Sequence, residues 1–191
     1  MELVFVSGNN NKVKEIRKKL PLIYQLKGLK DLNFTEDIPE TSNTFEGNAK
    51  QKASYIYSKF NVNCFADDSG LEVDYLNGAP GVYSARFAGE EKDDAKNNSL
   101  LLEKLNGISN RKARFKTVIC LILEGKEYFY EGFVEGVITD NYKGDGGFGY
   151  DPIFIPNGYD RTFAEMTLEE KNQLSHRAIA VQKMIDFLNE L

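Results

Sequence analysis

The residues with the most chemistry in the least space are Phe65-Ala66-Asp67-Asp68-Ser69-Gly70-Leu71, where an apolar stretch meets two carboxylates, a hydroxyl and a glycine. Val62, Cys64 and Ala66 are small or β-branched enough for a central strand, and Ser69-Gly70 predicts the turn that ends it. The acids are therefore expected at a strand end. Successive side chains on an extended backbone point to opposite faces, so Asp67 and Asp68 cannot both aim at one ligand. One is expected to work while its neighbour bonds to backbone. Adjacent ionised acids need a cation, a donor or water, and Mg²⁺ suits carboxylates combined with phosphates. A solvated Asp-Asp turn is the alternative, and the other segments decide between the two.

A second polar segment lies near the start. Leu3 to Val6 reads as a short apolar strand, Ser7-Gly8-Asn9-Asn10-Asn11-Lys12 as a loop, and Val13, Ile16 and Leu20 carry helical spacing. Strand, glycine loop and helix make a phosphate cradle: amide N–H groups and the positive helix end face an anion, and Lys12 adds full charge. A P-loop would need a second glycine immediately before its lysine, and Asn11 stands there instead.

Two further segments supply an aromatic surface and donors. Gly144-Asp145-Gly146-Gly147-Phe148-Gly149-Tyr150-Asp151 packs glycines around two aromatics and two acids, and Ser175 caps a helix whose first turn holds His176 and Arg177. Glu40 lies in a polar loop leading into a helix, from which a carboxylate can reach a metal. Loops at strand ends beside helix starts gather on one edge of an α/β sheet. Cations, a metal-binding acid, an aromatic face and a histidine form an inventory for a nucleoside triphosphate.

The elements that must position these residues are readable. Tyr24 to Leu29 reads as a second short strand; a helix starts near Phe45, with Asn43 or Thr44 as N-cap, Ala49, Ala53, Ile56 and Phe60 inward, and a Glu46/Lys50 pair outside. Glu90 to Leu105 reads as a helix with Ala95, Leu101, Leu102 and Leu105 inward, stopping at Asn106-Gly107. Ala113 to Glu124 and Glu127 to Ile138 make a hairpin around Gly125-Lys126, and Ile153 to Ile155 a last strand. Gly132 and Gly136 predict bulges or a close backbone approach. The closing helix turns Ala178, Val181, Met184, Ile185 and Leu188 inward. Arg86 is expected either to pair with an acid or to stack on Tyr83 or Phe87.

Composition sets the limits. The 191 residues suffice for one domain or one sheet in two lobes, with 41% hydrophobic and 28% charged residues. A net charge of −5 argues against duplex nucleic acid as the main partner. Cys64 and Cys120 lie in apolar runs without metal or redox spacing and read as reduced core residues. With neither a signal segment nor an apolar run of membrane-spanning length, a cytoplasmic address is expected.

In order along the chain, Ser7-Gly8-Asn9-x-x-Lys12, Glu40-Thr41, Thr44-Phe45, Asn48-Ala49, Ala66-Asp67-Asp68-Ser69-Gly70-Leu71, Gly78-Ala79-Pro80-Gly81, Tyr83-Ser84-Ala85-Arg86, Gly146-Gly147-Phe148-Gly149-Tyr150-Asp151-Pro152, Glu170-Lys171 and Ser175-His176-Arg177 resemble the inosine/xanthosine triphosphate pyrophosphatase family. Ser7 departs from the threonine common there, keeping the hydroxyl. The resemblance implies hydrolysis of ITP, dITP or XTP to monophosphate and pyrophosphate with Mg²⁺. It implies an elongated mixed central sheet flanked by helices, in a single domain with two lobes about a deep cleft, and a homodimer. Asp68 resembles the family's general base and metal-site carboxylate, and Glu40 the second metal acid. Ser7, Gly8, Asn9, Asn10, Asn11, Lys12 and Ser69 then belong to the phosphate side, Phe148, Gly149, Tyr150 and Asp151 to the purine side. Lys171, His176 and Arg177 resemble residues that read base and sugar. No nucleic acid or membrane partner is implied.

Overall fold

The computed structural model describes residues 1–191. Its mixed sheet has six strands: β1 (Glu2–Phe5), β2 (Gln25–Gly28), β3 (Cys64–Val73), β4 (Lys112–Leu123), β5 (Lys126–Ile138) and β6 (Phe154–Pro156), in the order β2-β1-β3-β4-β5-β6. Strand β1 pairs in parallel with β2 and β3, whereas β5 and β6 are antiparallel. The helices are α1 (Asn10–Lys19), α2 (Phe45–Phe60), α3 (Asp94–Lys104), α4 (Leu168–Leu174) and α5 (His176–Asn189). None is long and apolar enough to cross a membrane.

The chain divides into two compact units, each discontinuous in sequence: Met1–Asp68, Thr117–Gly132 and Arg177–Leu191 form unit 1, and Ser69–Lys116 with Phe133–His176 form unit 2. In unit 1, strand alternation sorts side chains into two cores. Leu3, Phe5, Phe65, Ile119 and Leu121 pack with Ile16 of α1 and Val181, Met184, Ile185 and Leu188 of α5. Val4, Val6, Cys64, Ala66, Cys120 and Ile122 pack instead with Ala49, Ala53 and Ile56 of α2. Both cysteines are free and buried, and burial pushes their thiols up to about 12. Unit 2 closes Leu71, Val73, Phe115, Ile138, Ile153, Phe154 and Phe163 over Leu101 and Leu105 of α3.

Several local rules act as the sequence suggests. Thr44 caps α2, accepting from the Gly47 amide at 3.0 Å. The β4–β5 turn is Glu124-Gly125, one residue earlier than expected, with φ of 50° and 81°. Both central residues are left-handed, as a two-residue hairpin whose twist matches its strands requires. At Gly136 a β-carbon would collide with the Ile155 carbonyl oxygen of β6, which is why a glycine interrupts β5. Gly136→Ala is expected to cost about 1–3 kcal/mol, read from urea unfolding midpoints, because backbone rather than a flexible side chain would have to move.

The structure corrects other expectations. Strand β3 does not turn at Ser69-Gly70 but runs ten residues, so Asp67 and Asp68 lie in its middle. Leu71 and Val73 enter the unit 2 core, and Ser84 Oγ takes the Leu71 amide at 2.8 Å, so tertiary burial overrides local turn propensity. Strand β1 stays paired with β3 up to the bond from Val6 N to Phe65 O at 2.8 Å, just before the acids. Helix α3 starts at Asp94, capped by Asp93, and turns Asn97 and Asn98 inward while Ala95 is exposed. Helix α4 was not expected, although Thr167 and Glu170 spell its capping box. Lys50 reaches Glu127 on β5 at 2.8 Å, and Arg86 stacks on the Tyr83 ring at 5.3 Å.

Candidate active site

The alternation that sorts the unit 1 cores also separates the two aspartates. Asp67 continues the face of Phe65, toward α1 and α5, and Asp68 the face of Ala66, toward α2. Asp67 Oδ2 is 3.0 Å from Lys12 Nζ and 3.1 Å from Arg177 Nε, and Arg177 also bonds Glu15 of α1. One of the pair was expected to bond to backbone; Asp67 is held by two cations. Asp68 Oδ2 accepts from Asn48 Nδ2 at 2.9 Å, and its Oδ1 lies 4.0 Å from Lys52 Nζ, which bonds Glu40.

The two neighbours titrate in opposite directions. Burial alone would push Asp67 up, yet Lys12 and Arg177 together hold it well below the usual carboxylate range. Asp68 is raised, chiefly by burial and further by the Glu40 charge, against the pull of Lys52, Lys12 and the Asn48 hydrogen bond. Burial lowers Lys12 despite Asp67, and the nearby charges of Arg177 and Lys52 add to the effect. One aspartate is thus a fixed anion and the other a carboxylate poised to take a proton.

The residues expected to form the phosphate loop sit at the α1 start. Asn9 is the N-cap, its Oδ1 accepting from Asn11 N at 2.9 Å and Lys12 N at 3.3 Å, and Ser7 Oγ accepts from Asn9 N at 3.2 Å. Gly8, Asn10 and Asn11 are exposed, and no atom lies within 4 Å of a β-carbon built on Gly8, which leaves room for a ligand. Glu40 and Asp68 flank the Lys52 ammonium, so two acids already share one cation. No group of three or more acids, cysteines or histidines is arranged to hold a metal ion. Two carboxylates match the donor set of Mg²⁺, which keeps most of its shell for water and substrate phosphates.

Unit 2 assembles the second set. Lys171 is 3% exposed, bonds Asp151 Oδ2 at 2.6 Å, and holds its ammonium 4.5 Å from the centre of the Phe148 ring. The same Asp151 oxygen accepts the Phe148 amide at 2.9 Å. Tyr150 is buried and its hydroxyl donates to the Ser84 carbonyl at 2.8 Å, a structural duty. His176 is buried and stacks on Phe115 at 4.8 Å, and Ser69 is half-buried on β3. His176 and Arg177, at 4% and 2% exposure, are not the surface residues of a solvated helix cap.

A model of the Ham1 family matches residues 3–187. The chain belongs to the Ham1 family. It is 54% identical over 188 residues to a dITP/XTP pyrophosphatase of Flavobacterium johnsoniae, covering 98% of each chain. The solved structure of the Staphylococcus aureus Ham1 protein superposes with a TM-score of 0.91 at 40% identity, covering 100% of this chain and 99% of that one. A HAM1 protein from Coxiella burnetii gives a TM-score of 0.92 at 36% identity over the whole of both chains. Such agreement makes the mixed α/β architecture of this Ham1 chain that of its relatives.

Within unit 1 the structure brings together Lys12, Glu40, Asp68 and Arg177, and within unit 2 Phe148, Gly149, Asp151 and Lys171. Sequence reasoning missed Glu15 and Lys52 and named Asn48 only within the family motif, without a role. Each lies on a helix where it reads as a surface polar residue. The available signal was periodicity: Asn48 and Lys52 are four apart and share one face of α2.

Proposed function

We propose that this Ham1-family chain hydrolyses the non-standard purine triphosphates ITP, dITP and XTP between their α and β phosphates, releasing monophosphate and pyrophosphate. The observation that carries this reading is the split pair on β3: Asp68 is a raised carboxylate beside Glu40 and Lys52, and Asp67 anchors Lys12 on the opposite face. Asp68 orients a water and takes its proton as the oxygen attacks the α phosphorus. The bond to the bridging oxygen breaks and pyrophosphate leaves with the electron pair. Lys12 and the Ser7–Asn11 loop hold the phosphates. When bound on Glu40 and Asp68, Mg²⁺ would offset the charge gathering on the phosphate oxygens.

Phe148 offers the purine a stacking face, and Lys171 and His176 supply its polar readers, whereas Arg177 is committed to Asp67 and Glu15. Donors meeting a 6-keto oxygen would leave an adenine amino group unpaired, which rejects adenosine. We read the chain as a single domain acting as a cytoplasmic homodimer; sedimentation giving a monomer at working concentration would refute the dimer.

The direct test is incubation with ITP and Mg²⁺. Pyrophosphate is expected, and orthophosphate alone would overturn the reading. Lys12→Ala is expected to raise KM for ITP about 10- to 100-fold, the scale of one lost charge-assisted hydrogen bond, with a much smaller change in kcat.

A further inference from the structure

We infer that Asp94 and Asn98, on the first turns of α3, are positioning residues that clamp Gly149 and thereby fix the Phe148 ring for the purine; this rests on the reading above. Asparagine is a poor helix former, and a buried amide needs partners, so two adjacent asparagines on the inward face of α3 require a reason. Asn97 holds the Ala88 amide at 2.7 Å and the Ala85 carbonyl at 2.9 Å. Asn98, 1% exposed, donates to the Gly149 carbonyl at 2.7 Å and to the Asp94 carbonyl at 2.8 Å, while its own Oδ1 is buried without a hydrogen-bond partner. Asp94 Oδ2 accepts the Gly149 amide at 2.7 Å.

Two side chains four residues apart, on one helix face, therefore grip both peptide groups of a single glycine. Gly149 has a φ of 61°, the left-handed conformation that glycine adopts and leaves with little resistance. It would be the natural hinge of the 144–151 loop, and the clamp removes that freedom. Phe148 lies between two anchors, its amide on Asp151 and the next residue on α3, with the Lys171 ammonium over its ring. Asp94 and Asn98 act through the Gly149 backbone. An anchored ring meets the purine without first being ordered, so the clamp bears on affinity and base choice rather than on the chemical step.

The test compares wild type with Asp94→Ala, Asn98→Asp and Asp94→Asn, which keeps an oxygen acceptor for the Gly149 amide. Pyrophosphate release from ITP and from ATP is measured, together with hydrogen exchange of the Gly149 amide by NMR. Asp94→Ala and Asn98→Asp are expected to raise KM for ITP about tenfold, with kcat within about threefold and the preference for ITP over ATP reduced. Exchange at Gly149 should accelerate in Asp94→Ala and return toward wild type in Asp94→Asn. Unchanged Gly149 exchange in Asp94→Ala, or lowered thermal stability with KM and preference unaltered, would overturn the clamp. Wild-type protein inactive on ITP would overturn the pyrophosphatase reading, and the exchange measurement would still judge whether α3 holds the glycine.

Discussion

Asp68→Asn is expected to lower kcat on ITP by about 10²- to 10⁴-fold, the contribution of a placed general base, while KM changes little. The fold should survive. Asp68 Oδ2 accepts from the Asn48 amide, and an asparagine oxygen can take the same bond. Because Asp68 is raised in the fold, chiefly by burial, its ionised form is disfavoured there, so a neutral isostere removes a cost. The variant should therefore unfold at the same urea concentration as wild type or a higher one. In wild type the acid limb of the kcat/KM profile should lie above the ordinary value of 3.8, since activity falls as pH drops through the raised pKa. Near-normal turnover by Asp68→Asn would remove the base from the mechanism.

The same substitution one residue earlier should do the reverse. Asp67→Asn is expected to lower stability by about 3–5 kcal/mol at neutral pH, because it withdraws a carboxylate from the buried Arg177 and from Lys12. The sign follows from the shift: a carboxylate held below its unfolded value stabilises the fold above that value and loses the contribution as pH falls. The difference between wild type and Asp67→Asn should thus be full at pH 7 and shrink below about pH 4, in the range where the unfolded carboxyl begins to keep its proton. Denaturation curves at pH 7 and pH 3 measure both ends. Equal stability at pH 7 would mean that Glu15 alone satisfies Arg177.

That adjacent, identical residues should respond so differently explains what could be read from the sequence and what could not. Local rules were legible where local physics decides: the Thr44 cap, the β4–β5 hairpin, though its turn lies one residue earlier than Gly125-Lys126, and the glycine under β6 each follow from a few neighbours. The course of β3 was not, because Ser69-Gly70 carries a turn signal that the burial of Leu71 and Val73 overrides. The candidate site divided along the same line. Alternation showed that Asp67 and Asp68 must part company, yet their partners come from 16 to 110 residues away. Lys52 and Glu15 read as solvated helix residues until β3 places an acid against the one and α5 a guanidinium against the other. Arg177 was assigned to the substrate, and in the free chain it is committed to Asp67 and Glu15.

The Arg177 pairing also orders events on the ribosome. Unit 1 needs Met1–Asp68, Thr117–Gly132 and Arg177–Leu191, so its earliest-made residues wait for its last. Until Arg177 leaves the exit tunnel, Asp67 and Glu15 lack the guanidinium that lets both be buried as ions, and a nascent chain stalled short of it would leave α1 without its partner on α5. The first unit can therefore close only once a segment 110 residues beyond Asp67 has been made.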